Sequence, residues 1–134
     1  MSNYSIIELN EDYYEEYNKI IIELTGKDYS IRNEIKVNNR YIFILLVNKK
    51  VIACGSLFIH NKIHCNNIGI IEDIIVSQNY RTNGYGKLLI EFLVSKAKTF
   101  ECYKVILGCQ DKNIKFYEKS LFHKGGIEMC KFLL

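Results

Sequence analysis

Apolar positions along the chain recur at two periods, and the changes of period mark out its elements. "YSIIEL" (4–9) reads as a short strand. Asn10 can then cap a helix whose first turn holds Glu11 and Asp12, where the helix dipole favours acids. Tyr13, Tyr17, Ile20, Ile21 and Leu24 recur at helical spacing, and Gly26 is a natural stop. Residues 28–37 have no clear period and suggest a second short helix. "YIFILLV" (41–47) is a strand apolar on both faces, "NKK" (48–50) is a turn, and "VIACGSLFIH" (51–60) completes a hairpin. A polar loop with Lys62 and His64 leads into a third long strand, "IGIIEDIIV" (68–76).

The second half changes rhythm. A helix over 84–97 sets Leu88, Leu89, Phe92, Leu93 and Ala97 on one stripe. "KVILGC" (104–109) is a fourth long strand, followed by a helix over 111–120 and a final strand over 127–133. Antiparallel strands followed by strand–helix–strand–helix–strand predict a mixed sheet with helices on its faces, an α/β or α+β domain. No repeat, low-complexity tract or linker interrupts the 134 residues, so a single domain over 1–134 is expected.

Composition narrows the function classes. Hydrophobic content of 49% and charged content of 25% are ordinary for a soluble globular protein. No apolar run approaches the ~18 residues of a membrane span, and "MSNYSIIELNEDYYEEY" has no basic n-region. A cytoplasmic protein that engages no membrane is the expectation. A net charge of +3 suits a small anionic ligand but is too weak for nucleic acid, which calls for a concentrated basic face. The five cysteines are odd in number and show no C-x-x-C spacing, so neither a disulfide framework nor a metal site is expected.

The candidate chemistry begins at "YRTNGYGKLLIEFLV" (80–94), which joins a Gly-punctuated loop to a helix. A helix start offers free N–H groups and partial positive charge to an anion. Glycine lets a phosphate approach the backbone and accepts positive φ, and Arg81 adds a charge-assisted donor. Lys87 is followed by Leu88, which fails the Walker A pattern; Leu89 stands where a dinucleotide fingerprint needs its third glycine. What remains is Arg81-x-x-Gly84-x-Gly86. Glu72 and Asp73 stand out in a different way, as adjacent carboxylates in an apolar strand. Simple alternation sets Glu72 with Ile70 and Ile74, and Asp73 with Ile71 and Ile75. Buried carboxylates are costly without partners, so the pair marks polar work on at least one side.

The loop resembles the pyrophosphate loop of the GNAT acyltransferase superfamily. "NIKFYEKSLF" (113–122) resembles the block of that family in which an Asn opens the last main helix and a Tyr follows four residues later. The run 71–119 is similar to one branch in particular, the glucosamine-6-phosphate N-acetyltransferases. It shares Ile71-Glu72-Asp73-Ile74, the Gly-Lys-Leu-Leu-Ile of 86–90, Cys102-Tyr103-Lys104 and 113–119. "KIH" (62–64), the "LTG" holding Thr25, and Gly126-Ile127-Glu128-Met129 resemble further elements of that branch. The likeness is dense over about half the chain and thin before the third strand.

The resemblance implies a GNAT fold, acetyl-CoA as co-substrate, a homodimer with a shared active site, and direct attack by a neutral amine on the thioester. It implies that Arg81, Thr82, Asn83, Gly84, Tyr85, Gly86 and Lys87 hold the pyrophosphate. Ile74, Ile75 and Val76 would bond the pantetheine arm as an added strand does, and N–H groups near Ile75 and Val76 would stabilise the developing oxyanion. Tyr117 would be the general acid, Asn113 a cofactor contact or helix cap, and Phe116 a cofactor contact. Thr25, Glu72 and Asp73 would orient the acceptor, while Lys62, His64, Lys104 and Lys131 would meet its phosphate.

Three departures stand out. Gly108 replaces an acidic residue, Phe132 stands where an Arg is expected, leaving Lys131 as the nearest cation, and Leu121 replaces a glycine. The first two weaken the acceptor half of the pattern and leave the cofactor half intact. They keep open a GNAT enzyme for another small amine or a protein amine. A non-catalytic acyl-CoA-binding module fits less well, since Tyr117, Glu72 and Asp73 are all present.

Overall fold

A computed structural model of the chain describes residues 3–28 and 37–134. The second short helix suggested over 28–37 lies almost wholly outside the described residues. Strands β1 (Tyr4–Glu8), β2 (Arg40–Val47), β3 (Lys50–His60), β4 (Asn67–Val76) and β5 (Cys102–Ile106) form one sheet in the order of the chain. The first four pair antiparallel, and β5 lies parallel to β4. A parallel pair needs a long crossover, which helix α2 (Tyr85–Thr99) supplies. Helix α1 (Tyr14–Thr25) follows a single 3-10 turn, in which the Asn10 side chain accepts from the Asp12 N–H at 3.0 Å. Gly26, in the left-handed region at φ 72°, ends α1 as expected. The mixed sheet is therefore the one expected from the sequence.

Both faces of the sheet are covered, which explains the unbroken apolar run of β2. Ile42, Ile44 and Leu46 join Tyr17, Ile20, Ile21, Val51, Cys54 and Ile75 on the α1 side. Phe43, Leu45 and Val47 join Leu57, Ile71, Leu89, Ile90 and Leu93 on the α2 side. The hairpin closes through Asn48 and Lys49, both at positive φ (51° and 63°), the conformation that two-residue hairpin loops use.

The C-terminal third departs from expectation. β5 ends at Ile106, not at residue 109. The helix expected over 111–120 is a 3-10 turn, Asp111–Asn113, followed by the short helix α3 (Ile114–Glu118). No strand forms over 127–133, because a strand needs a ladder partner for its backbone groups and, among the described residues, β4 is the only strand paired with β5. Leu121 is in the left-handed region at φ 68°, the conformation for which a glycine was expected. The Phe122 N–H reaches the Tyr117 carbonyl at 3.3 Å, and the Leu121 N–H reaches that of Glu118 at 3.0 Å. This wraps the chain end of α3 and sets the Phe122 ring 6.0 Å from that of Tyr117.

Two outcomes follow from this packing. Burial pushes the Cys54 thiol up to about 12, with the Asp73 carboxylate adding to the effect. Cys54 therefore has almost no thiolate near neutral pH. A maleimide titration of native protein at pH 8 should label the exposed Cys109 and Cys130 quickly and reach Cys54 only in denaturant; rapid native labelling of Cys54 would contradict the packing. Leu121 is 91% exposed, so its replacement loses little packing. Leu121→Gly should raise stability by about 1 kcal/mol by removing left-handed strain, read as a higher urea midpoint.

Candidate active site

The site is organised by an irregularity in β4. Cys54 pairs with Ile75 and Ser56 with Glu72, so Asp73 and Ile74 together face the single residue Gly55. This is a β-bulge, and Asp73 takes its strained position at φ 55°, a region that Asp tolerates better than most residues. Ile71 and Ile74 both pack on the α2 side, while Ile75 is buried on the α1 side. The simple alternation expected for this strand is thus broken at Asp73. Glu72 shares its face with Ile68 and Ile70, on the α1 side of the sheet. Asp73 acts on that side too, since its charge raises the pKa of both Tyr17 and Cys54, in each case after the larger effect of burial. The extra residue therefore brings two exposed carboxylates to one face. Gly55 permits it: a Cβ there would stand 2.5 Å from Ile74 Cδ1 and 3.1 Å from Leu93 Cδ1.

An opening lies next to the bulge. The β4–β5 ladder ends at the Ile70/Ile106 pair, yet β4 runs on to Val76. Among the described residues, one edge of β4 from Ile71 to Val76 has no neighbouring strand, so its backbone groups face the gap. The loop beyond Val76 is tied back to the sheet, with Arg81 Nε donating to the Val76 carbonyl at 3.0 Å. Thr82 stands at φ 69° and its hydroxyl donates to the Arg81 carbonyl. Asn83 and Gly84 complete the loop. Gly84 is the N-cap of α2 at φ 86°, and it supplies no side-chain acceptor. The first-turn N–H groups of Tyr85, Gly86 and Lys87 are left without helical partners, and no acid occupies that turn. Lys87 lies 3.7 Å from Glu91 in an exposed ion pair. A backbone cradle of this kind fits a pyrophosphate.

Glu23, which the sequence reading missed, anchors the same loop from α1. Its carboxylate accepts from the Gln78 N–H at 3.2 Å and from the Ser77 hydroxyl at 3.4 Å. No local signal identifies it, because its partners are more than fifty residues away in the chain.

The far wall comes from α3. A Cβ on Gly86 would meet Phe116 Cζ at 3.1 Å and Val76 Cγ2 at 3.5 Å, so α3 leans on the first turn of α2 and the end of β4. Tyr117 is half-buried, its ring edge-on to Phe116 at 4.9 Å. Burial raises the Tyr117 phenol above its ordinary value, with a smaller contribution from Cys109, so it is protonated throughout the neutral range. Asn113 makes no capping hydrogen bond through its side chain, which excludes one of its two expected roles.

The expected phosphate contacts separate into two groups. Lys62, His64 and Lys104 line one cavity with Ile68 and Ile70, on the same sheet face as Glu72. Lys131 is not in that lining; it sits in the exposed C-terminal tail. Thr25 lies at the end of α1, its hydroxyl donating to the Ile21 carbonyl at 2.8 Å and accepting from the Lys27 N–H at 3.1 Å. The carboxylate pair and the phosphate-type loop thus flank the free edge of β4, while Tyr117 packs against the α2-side core beside Phe116 and Phe122. The three cations lie nearby and Lys131 lies outside.

Comparison with known proteins agrees with this architecture. The model of the acetyltransferase (GNAT) family matches residues 4–121. The chain is 36% identical over 135 residues to glucosamine 6-phosphate N-acetyltransferase 1 of Dictyostelium discoideum, covering 92% of this chain and 86% of that protein. It is 41% identical over 85 residues to the glucosamine 6-phosphate N-acetyltransferase of Candida albicans, covering 61% of this chain and 57% of the relative. The crystal structure of the Arabidopsis thaliana glucosamine-6-phosphate N-acetyltransferase superposes with a TM-score of 0.85 at 29% identity, covering 98% and 99% of the two chains. An aminoglycoside N-acetyltransferase solved with CoA shares the fold at 15% identity, with a TM-score of 0.80. With the family match running from β1 through α3 and the anion cradle in place, this chain belongs to the GNAT family of acetyltransferases.

Proposed function

We propose that the protein transfers the acetyl group of acetyl-CoA to the amine of D-glucosamine 6-phosphate, in the cytoplasm, supplying N-acetylglucosamine 6-phosphate for UDP-N-acetylglucosamine synthesis. The observation that carries this reading is one sheet face with a carboxylate pair at one end and a cationic cavity at the other. An acceptor with an amine and a phosphate matches both ends. The relatives named for this reaction support it from outside the chain.

Each element then has a task. The backbone of residues 81–87 and the Arg81 side chain hold the pyrophosphate. The free edge of β4 at Ile74, Ile75 and Val76 bonds the pantetheine arm, and N–H groups near Ile75 and Val76 receive the thioester oxygen as it gains charge. Asn113 and Phe116 contact the cofactor from the far wall. Glu72 and Asp73, with Thr25, orient the amine and the sugar hydroxyls. As the C–N bond forms and the C–S bond breaks, the amine releases one proton and the thiolate gains one. Tyr117, neutral in this range, donates to the departing sulfur. Lys62, His64 and Lys104 receive the phosphate, with Lys131 reaching it only if contributed by a second copy.

The active form in this reading is a homodimer with a shared site. Ile127, Met129, Phe132 and Leu133 are 85–90% exposed in a tail without strand partners. β5 presents an edge that no other strand among the described residues covers, and contiguous exposed apolar residues of this kind mark an interface.

Two measurements test the reading. Product mass analysis should show acetylation of glucosamine 6-phosphate and not of glucosamine. Tyr117→Phe should lower kcat by about 10²-fold or more while leaving CoA binding intact. CoA binding without acetylation of the phosphosugar would leave the fold standing and sink the substrate. In sedimentation, the wild type should be a dimer and a Phe132→Glu/Leu133→Glu variant a monomer with reduced turnover. A monomeric wild type with full activity would remove the shared site.

A further inference from the structure

The departure at Gly108 takes on a different meaning in three dimensions. Extending the Ile70/Ile106 pairing by two residues on each strand brings Gly108 level with Glu72 across the opening. Lys104 and Ile106 line the cavity on the α1 face, while Val105 and Leu107 pack on the α2 side. By the same alternation, a side chain at 108 would project on the face that carries Glu72. That space is filled from elsewhere: a Cβ on Gly108 would stand 2.9 Å from Glu128 Oε2. Gly108 is not at positive φ, so no backbone conformation demands a glycine there. The atom met is the flexible end of an exposed side chain, so the distance shows where the Glu128 carboxylate sits and does not bar a larger residue at 108.

We infer that Glu128 supplies the acceptor-facing carboxylate that residue 108 lacks. It is a specificity-determining residue that meets the amine or an adjacent hydroxyl from the side opposite Glu72. This rests on the proposed amino-sugar acceptor. Three carboxylates, Glu72 and Asp73 on β4 and Glu128 on the tail, would then border the opening on the α1 face. Such a border attracts an ammonium group and repels acceptors that carry a carboxylate beside the amine. Glu128 is exposed and makes no ion pair among the described residues, so its carboxylate can turn to a ligand.

The test is a cycle of three variants with glucosamine 6-phosphate as acceptor. Glu128→Gln should raise the acceptor KM about tenfold, the usual order for one charge-assisted hydrogen bond, while the KM for acetyl-CoA stays the same. Gly108→Asp alone should also impair the acceptor, because its carboxylate repels that of Glu128 from the space they would share. Combining Gly108→Asp with Glu128→Gln should recover most of the loss, since a carboxylate returns to the same space. A purely structural role for Glu128 would give no such rescue. An unchanged acceptor KM in Glu128→Gln, or a double variant no better than the single one, overturns the inference. Wild-type protein that leaves glucosamine 6-phosphate unmodified overturns the substrate reading instead. The same cycle on the amine that the wild type does acetylate then decides the role of Glu128.

Discussion

The site depends on one extra residue in β4. Asp73 and Ile74 share the space opposite Gly55, and this changes the phase of the strand from there to Val76. Without the bulge, Ile74 would turn towards α1 and Asp73 towards the apolar packing under α2, where an unpaired carboxylate is costly. With it, Ile74 and Val76 stay with α2, Ile75 stays with α1, and the two acids share the open face. The glycine opposite is as much a part of the arrangement as the acids, because its missing side chain is the room that Ile74 occupies. Backbone strain at Asp73 persists because the hydrophobic phase on both sides of it is fixed by separate cores.

Much of this was legible in the chain. Five strands were found with their ends within a few residues, apart from β5, which stops earlier, and the loop from Arg81 to Gly86 was placed at a helix start. Those features are local: a period, a cap or a glycine spacing carries each. What escaped was non-local. The phase change at Asp73 is set by pairing with β3, so the residues 68–76 alone read as plain alternation. Glu23 bonds residues far from it in sequence and has no pattern around it, and the family-like stretch around Glu128 does not reveal its approach to Gly108. The strand expected over 127–133 has the composition of a strand but no ladder within the described residues, and composition cannot supply a partner.

The geometry also accounts for how charge is distributed on a nearly neutral protein. Cations from a loop and from β5 gather at one end of the α1 face, acids from the bulge at the other, and apolar Ile70 and Ile106 lie between them. The start of α2 has no acid in its first turn. A modest net charge of +3 is therefore compatible with strong local fields of both signs.

The order of strands in the sheet has a consequence for assembly in time. Every strand lies beside the one before it in the chain, and four of the five join by antiparallel neighbours. The β2–β3 and β3–β4 contacts close short loops and form early, whereas α1 intervenes between β1 and β2 and α2 between β4 and β5. The last strand can dock only after α2 has crossed the sheet, and its ladder with β4 is short. The opening sits at that final seam. The opening is thus bounded on one side by a strand joined to the sheet through a long crossover and a short ladder, a seam that local opening reaches more readily than the central hairpin.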